Sequence, residues 1–456
     1  MNRKNFLRTS LGALVTAPFL SRAALPPAGA NTPFAPAFEI PSARPGTWEL
    51  IGGAGRNESW SAQDGHNRVR ALATFRGRLY AGIGTGDPEV WRFNGQRWDL
   101  VGGKKLMGSW ASQKNASRGS SQESRPPWVN VLLADPEHRY LYAGVRQTLS
   151  DNHAQLWRFD GSKWELIGGT GKRGDWSGPD FNNVYTLEWH HGKLLVGLQG
   201  YLLPGKSVHE SREKERRPNA QYDKGEIYSF DGKRWECVAN RESFRPHTHW
   251  IYKLVSFNGH LYAAIVRRLG TRWTGEVWCL KANRWEHVGG DGINGSWRIE
   301  AAHIVTSMLV YDGKLFIGYN CQECPQMDSR FGNVWSWDGE TWEQLILPVE
   351  CPTPSLAAEQ GSFNDLLVFQ GRLIVGGGHV NDGKLAVWEL AADRRHWRCL
   401  GAPAVERFIQ PADVDLWRKE HYVYSFTTFR DALIMGARGP EGSAHVWRYI
   451  PKSEPN

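Results

Sequence analysis

The 456-residue chain lacks several features that mark common functional classes. It has only five methionines, which speaks against a helical bundle and suits short strands joined by tight turns. Beyond residue 30, no apolar run approaches the roughly 20 residues that a membrane-spanning helix needs. The sequence contains no glycine-rich phosphate loop, nucleophile elbow or zinc-protease helix. Its net charge of +8 is not concentrated in a basic stripe, so we expect no nucleic-acid partner.

Residues 1–30 are expected to form an export signal that is removed from the mature protein. A basic start is followed by an apolar run from Leu11 to Leu20 and by Ala28-Gly29-Ala30, which fits an A-x-A cleavage site. The basic start resembles the twin-arginine signal, with Lys4 in the place of the second arginine. The alternative is a short buried helix. We expect an exported, soluble, monomeric protein, periplasmic or extracellular, with a Pro-rich linker at 31–46 and a tail at 451–456.

Tryptophan and glycine are abundant, at 23 and 50 residues, because one pattern recurs along the chain. It consists of a strand, a Gly turn, a second strand, a variable loop, an aromatic third strand and a fourth strand that begins with Trp. Asn-Gly or Asp-Gly in the last turn is a strong hairpin signal, because both residues of such a turn must tolerate positive φ. The last two strands of each copy span 90–98, 156–164, 227–235, 277–285, 334–342 and 387–397.

A seventh copy starts at Tyr422 and reaches Tyr449, but the chain then ends without a fourth strand. The segment from Thr47 to Gly53 matches a fourth strand and has no first three strands before it. Pairing the two segments would protect both sheet edges. We therefore predict an all-β fold over 47–450, a seven-bladed β-propeller of four-stranded antiparallel blades whose last blade is closed by the N-terminal strand.

The strand pattern resembles that of kelch-type propellers. Its second strand reads Arg372-Leu373-Ile374-Val375-Gly376-Gly377-Gly378, an aromatic lies in strand three, and Trp opens strand four. The resemblance covers 47–450 and implies an architecture. Because kelch-type propellers include binding modules and enzymes alike, it assigns no activity.

Loop lengths predict which face of the propeller carries function. The turns between first and second strands are short, as at Arg76-Gly77 and Asn258-Gly259, whereas long insertions such as 104–127 and 200–224 fall on the opposite face. Binding sites are commonly built from variable loops on a rigid scaffold, so function is expected on the loop-rich face. A Trp that follows a Gly-Gly pair at a fixed distance is expected to pack between blades; it recurs at Trp60, Trp110, Trp176 and Trp297.

Alignment of the first strands predicts a polar site around the central channel. His249, His303 and His421 occupy one equivalent position near its mouth. The next inward position holds a polar or aromatic set: Arg70, Asn130, Tyr185, Tyr252, Thr306, Asp365 and Tyr424. A polar lining that only hydrogen-bonds water is the alternative interpretation.

Three functions are compatible with this cluster. In the first, the protein binds an anionic, uronate-containing carbohydrate and cleaves it by β-elimination, as uronate lyases built on propellers do. Arg70, Asn130, Tyr185 and Asp365 would then bind substrate, and His249, Tyr252, His303, His421 and Tyr424 would supply acid and base. In the second, the propeller is a non-catalytic interaction or carbohydrate-binding module. In the third, the histidines hold a metal in an oxidoreductase.

Three cysteines on the loop-rich face predict one structural cross-link. Cys321 and Cys324 are spaced to bind one metal, and Cys351 lies in the next crossover. A structural zinc held by these thiolates with His379 or His303 is one interpretation, and a disulfide to Cys351 is the other. Neither would be catalytic.

Overall fold

The fold is seen in a computed structural model, which describes residues 46–112, 127–147, 153–177, 181–200, 224–240, 242–269, 272–298, 302–323, 333–346, 361–379, 385–394, 396–401, 422–439, 442 and 444–451. All of them belong to one compact unit, Pro41–Asn456. Among these residues, no helix is long and apolar enough to cross a membrane.

The described residues form an all-β fold of 28 strands. The first fourteen are β1 (Gly46–Gly52), β2 (Arg68–Phe75), β3 (Arg78–Gly84), β4 (Glu89–Phe93), β5 (Trp98–Gly102), β6 (Trp128–Ala134), β7 (Leu141–Arg146), β8 (Ala154–Phe159), β9 (Trp164–Gly168), β10 (Phe181–His190), β11 (Lys193–Gly200), β12 (Ile227–Phe230), β13 (Trp235–Ala239) and β14 (Thr248–Phe257). The others are β15 (His260–Leu269), β16 (Arg272–Lys281), β17 (Arg284–Gly289), β18 (Ala302–Tyr311), β19 (Lys314–Glu323), β20 (Asn333–Trp337), β21 (Trp342–Ile346), β22 (Gly361–Phe369), β23 (Arg372–His379), β24 (Leu385–Leu390), β25 (Trp397–Gly401), β26 (Tyr422–Phe429), β27 (Ala432–Arg438) and β28 (His445–Pro451). Short 3-10 turns lie at Arg56–Glu58, Ala62–Asp64, Leu106–Gly108 and Ile293–Gly295.

Consecutive strands pair antiparallel in units of four, as in β2–β5 and β6–β9. The first strand of each unit contacts the first strand of the next. Close approach of neighbouring units explains the small residues in second strands: a Cβ on Gly144 would lie 2.8 Å from Val184 Cβ, in the first strand of the following unit. The predicted strand order within the repeat is therefore correct.

β1 pairs antiparallel with β28, from Gly46 opposite Pro451 to Gly52 opposite Val446. Glu49 and Arg448 form an ion pair across the two strands. The ring of Trp48 lies 5.1 Å from that of Tyr449. β1 is therefore the outer strand of this sheet, next to β28 in the order β1, β28, β27.

A hydrogen bond from the Trp that opens a fourth strand links neighbouring units. Trp98 Nε1 donates to the Ile51 carbonyl at 2.7 Å, and Trp164 Nε1 donates to the Val101 carbonyl at 2.8 Å. Trp235 and Trp342 make the same bond. Trp48, in β1, also makes it, to the Leu400 carbonyl of β25 at 3.2 Å.

The Trp residues after the Gly-Gly pairs pack between units, as predicted. Trp60 is 1% exposed and its Nε1 donates to Ala444, beside β28. Its ring contacts Trp91 and Trp98 of the following unit edge-on. Trp110, Trp176 and Trp297 repeat this arrangement.

The turn between first and second strands differs in its backbone angles from the turn between third and fourth strands. In the turn between β2 and β3, Arg76 and Gly77 both have positive φ, at 47° and 67°. In the Asn-Gly turn after β4, only Gly95 does, at 103°, because the Asn94 side chain accepts backbone N–H bonds from Gln96 and Arg97 instead. The expectation of positive φ at both residues of these Asn-Gly and Asp-Gly turns was wrong.

Candidate functional site

The first strands surround a cavity of about 580 Å³. In each of these strands the pairing register shifts by one residue at the level of the cavity, and the extra residue of this β-bulge lines the cavity. The bulged residues are Arg70, Asn130, Tyr185, Tyr252, Thr306, Asn364 and Tyr424. The predicted site residues Arg70, Asn130, Tyr185, Tyr252, Asp365 and Tyr424 therefore meet in one cavity.

The alignment of Asp365 with the other six residues was wrong by one position. The register in β22 shifts between Phe363 and Asp365, so Asn364 is the bulged residue. Asp365 pairs with Gly376 and corresponds to Lys253, which pairs with Ala264. Both Asn364 and Asp365 line the cavity, but Asp365 lies one residue further along the channel, and its carboxylate accepts the Phe426 N–H at 2.7 Å.

Arginine and aromatic side chains cluster at the side of the cavity formed by β2, β6, β26 and β27. We call Arg68, Arg70, Arg146, Arg438, Trp128 and Tyr424 the arginine–tyrosine cluster. The guanidinium of Arg70 lies 4.7 Å from the Trp128 ring centroid and 5.2 Å from that of Tyr424. Arg68 and Arg146 also lie over Trp128. Arg438 donates to the Tyr424 hydroxyl at 3.4 Å.

The cluster concentrates positive charge. Within the described part of the chain, no carboxylate pairs with Arg68 or Arg70, and the buried Nε of Arg70 has no hydrogen-bond partner. Burial lowers the pKa of Arg68 to about 10. Burial alone would raise the pKa of Tyr424, but Arg68, Arg438 and Arg70 stabilise its phenolate and lower the pKa to about 8.

Three near-parallel aromatic rings continue from this cluster toward the start of β14. The Tyr185 and Trp250 centroids are 5.7 Å apart with an interplanar angle of 13°, and those of Trp250 and Trp273 are 5.1 Å apart at 17°. Tyr185 also contacts Tyr252, whose pKa is raised by burial. Tyr185 and Tyr252 line the cavity, whereas Trp250 and Trp273 do not.

His249 does not line the cavity. It is fully buried, its ring contacts Trp250 and Trp273, and its Nε2 lies 3.4 Å from Gln199 Nε2. Tyr252, three residues further along β14, does line the cavity. The predicted place of His249 at the channel mouth stays a prediction.

The structure describes some of the remaining predicted residues and not others. His303 lies in β18 opposite Cys321 of β19, and His379 lies in β23. His421, Cys324 and Cys351 fall outside the described residues. No group of three His, Cys, Asp or Glu side chains with metal-site geometry occurs in the part of the chain that is described. The zinc, disulfide and metal-dependent oxidoreductase interpretations stay predictions.

Further along the channel, the lining carries charges of both signs. Lys253 in β14, Glu188 in β10 and Asp365 in β22 all line the cavity. Burial raises the pKa of Glu188 to about 7 and raises that of Asp365, while Lys253 opposes both shifts. The Ser256 N–H donates to Glu188 at 3.4 Å.

The sequence alignment missed the residues that surround the predicted ones. Arg68 and Arg438 become neighbours because β2 pairs with β27, near the opposite end of the chain. Trp128 and Arg146 pair across β6 and β7. A search for basic residues two positions before each bulge would have found Arg68, but no local signal links it to Arg438.

No family model matches this chain, and no curated protein matches it. It is similar to solved β-propellers. One is described as YCF48 bound to D1 peptide, at 12% identity and a TM-score of 0.47, covering 91% of this chain and all of that one. Others are a GH74 enzyme of Niastella koreensis (13%, TM-score 0.47, 82% of this chain and 51% of that one) and a Trypanosoma rangeli sialidase (12%, TM-score 0.41, 84% and 55%). At TM-scores below 0.5, none of these activities transfers to this chain.

Proposed function

We propose that the protein is an exported, kelch-type propeller of seven four-stranded blades, with β1 as the fourth strand of the last blade, and that its central cavity binds an anionic carbohydrate. The interblade Trp bond made by Trp48 supports this closure, because it repeats the bond that Trp98 makes in an ordinary blade. Export, with a twin-arginine-like signal, is part of the same proposal.

The arginine–tyrosine cluster is the observation that carries the ligand class. Guanidinium groups bind carboxylates through paired, charge-assisted hydrogen bonds. Arg68 and Arg70 have no carboxylate partner in the described structure. Arg70 lines the cavity, where its guanidinium would pair with a uronate carboxylate. Nearby aromatic rings offer apolar surface of the kind that sugar rings contact.

The same geometry supports cleavage by β-elimination. The Tyr424 phenolate would remove the proton from the carbon beside the uronate carboxylate, while Arg70 stabilises the negative charge that develops on that carboxylate. The electron pair of the broken C–H bond forms a double bond to the adjacent carbon, and the C–O bond to the leaving sugar breaks. The phenol then returns its proton to the leaving oxygen. With a pKa of about 8, about a tenth of Tyr424 is ionised at neutral pH.

A screen of uronate-containing polymers tests this proposal. We expect at least one polymer to bind and to yield new unsaturated ends, detected by ultraviolet absorbance. Arg70→Met should weaken binding by at least about tenfold. Tyr424→Phe should abolish product while leaving the affinity for the polymer largely intact.

Tyr140→Phe is the matched control, because Tyr140 is a partly buried tyrosine outside the cavity. It should leave both binding and product formation unchanged. Binding without product from the unsubstituted protein would contradict the elimination chemistry, and absence of binding to every uronate polymer would contradict the ligand class.

A further inference from the structure

We infer that the ligand of the arginine–tyrosine cluster carries a second anionic group, a sulfate ester, beside its carboxylate, and that Arg68 and Arg438 bind this group. The inference rests on the proposed carbohydrate-binding function and names the class of polymer, a sulfated uronate polysaccharide. Three features of the described residues support it: the number of positive charges, the opposition of two arginines on neighbouring strands, and the donors that Arg68 has available.

The cluster holds more positive charge than one carboxylate neutralises. Arg68 lies 5.3 Å from the Trp128 ring centroid and 5.9 Å from that of Tyr424. Arg70 lies 4.7 Å and 5.2 Å from the same two centroids, so the two guanidinium groups are neighbours. Neither pairs with a carboxylate in the described part of the chain. With a pKa of about 8, Tyr424 is mostly protonated at neutral pH and offsets little of this charge.

Arg68 and Arg438 are directly opposite each other where β2 pairs with β27. Side chains of opposed residues lie on the same face of a sheet, and like charges at such positions repel each other. Burial lowers the pKa of Arg68 to about 10, and the charges of Arg438 and Arg70 add to this effect. An anion bound between Arg68 and Arg438 would offset the repulsion. Because Arg438 also donates to the Tyr424 hydroxyl at 3.4 Å, this anion would lie beside the proposed base.

Arg68 has hydrogen-bond donors available for such an anion. Its Nε donates to Asn67 Oδ1 at 2.8 Å, and its two Nη groups make no hydrogen bond to the described residues. The side chain is half-buried, and the Nη groups are accessible to solvent. A carboxylate has two oxygens and, paired with Arg70, leaves Arg68 without an anion. A sulfate ester has three terminal oxygens, so one such group can accept hydrogen bonds from Arg68 and Arg438 together.

Binding of matched polymers tests the class of ligand. Calorimetric titration of Tyr424→Phe, which should bind without cleaving, would use chondroitin sulfate, its chemically desulfated form and polygalacturonate at one ionic strength. We expect the sulfated polymer to bind at least about tenfold more tightly than the desulfated one. Equal affinity for these two would overturn the inference and leave the proposed function standing. Polygalacturonate bound as tightly as the sulfated polymer would also overturn it, because a second carboxylate would then suffice. Absence of binding to all three would instead contradict the proposed function itself.

Substitution of Arg68 tests which residue recognises the sulfate. In the Tyr424→Phe protein, Arg68→Met should weaken binding of the sulfated polymer at least about tenfold and change the affinity for the desulfated polymer less than about twofold. Arg70→Met should weaken both, because Arg70 lines the cavity and would bind the carboxylate. Arg284→Met is the control for non-specific attraction of a polyanion, since Arg284 is 82% exposed on β17, and it should leave both affinities unchanged. If Arg68→Met weakens binding of both polymers equally, Arg68 does not recognise a sulfate and the inference is wrong.

Discussion

At the scale of single residues, the 3-10 turn at Leu106–Gly108 differs from the equivalent turns at Arg56–Glu58 and Ile293–Gly295. The difference predicts a stabilising substitution. Asn57, Met107 and Asn294 occupy the same left-handed position, with φ of 52°, 49° and 53°. Asn57 Nδ2 donates to Ile51, and Asn294 Nδ2 donates to Val288, carbonyls that also accept a Trp Nε1 bond. Methionine can make no such bond and tolerates this backbone less well.

Met107→Asn should therefore raise the free energy of unfolding by about 1 kcal/mol, because it relieves the backbone and adds a hydrogen bond to Val101. Urea or thermal unfolding measures the change. Met107→Ala is the control and should give no such gain. If Met107→Asn is only as stable as the unsubstituted protein, the asparagine side-chain bonds made by Asn57 and Asn294 do not stabilise their turns.

Tyr424 predicts a pH dependence. Its pKa is lowered to about 8, whereas a tyrosine in an unfolded chain ionises near 10. The phenolate therefore stabilises the fold fully above about pH 10, and this contribution is lost as the pH falls through 8. If Tyr424 is the base, kcat/KM should rise with pH up to about 8 and then level off. Ultraviolet titration should detect one tyrosine ionising near pH 8 that disappears in Tyr424→Phe and persists in Tyr140→Phe.

At the scale of secondary-structure elements, β1 is predicted to contribute as much as an ordinary fourth strand. Trp48 packs on Tyr449 and bonds Leu400, so Trp48→Ala should reduce the free energy of unfolding by roughly 2 kcal/mol through lost burial and one lost hydrogen bond. Thr47→Ala, an exposed neighbour on the same strand, should change it little. Thermal unfolding of both variants provides the comparison; a Trp48→Ala protein as stable as Thr47→Ala would mean that β1 is dispensable.

At the scale of the whole molecule, the pairing of Gly46 with Pro451 predicts that the chain can be circularly permuted. We expect a permutant that joins residue 451 to residue 46 by a short Gly/Ser linker, with new ends in the exposed turn at Asp231-Gly232, to fold and to unfold at nearly the same temperature. The same permutant without residues 46–53 is the control and should aggregate, because it leaves the β28 edge unpaired. An unfolded first permutant would contradict the proposed closure.

Local chemistry made most of the architecture predictable. A Trp-opened fourth strand, a Gly turn and alternating apolar residues recur often enough that each strand pair could be placed from neighbouring residues alone. Hairpin pairing depends on contacts a few residues apart, which a sequence displays directly. The packing of Trp60 between units was predictable for the same reason, since its offset from Gly52-Gly53 repeats.

The full set of residues that form the site could be identified only from the tertiary structure. Which residue bulges decides which side chain faces the channel, and in β22 the bulged residue is Asn364 rather than Asp365. The ionisation of Tyr424 depends on Arg68 and Arg438, which meet only because β2 lies beside β27. By itself, the sequence determined the strands and their order. The distances between charges from remote strands, and with them the chemistry of the cavity, were decided only when the chain folded.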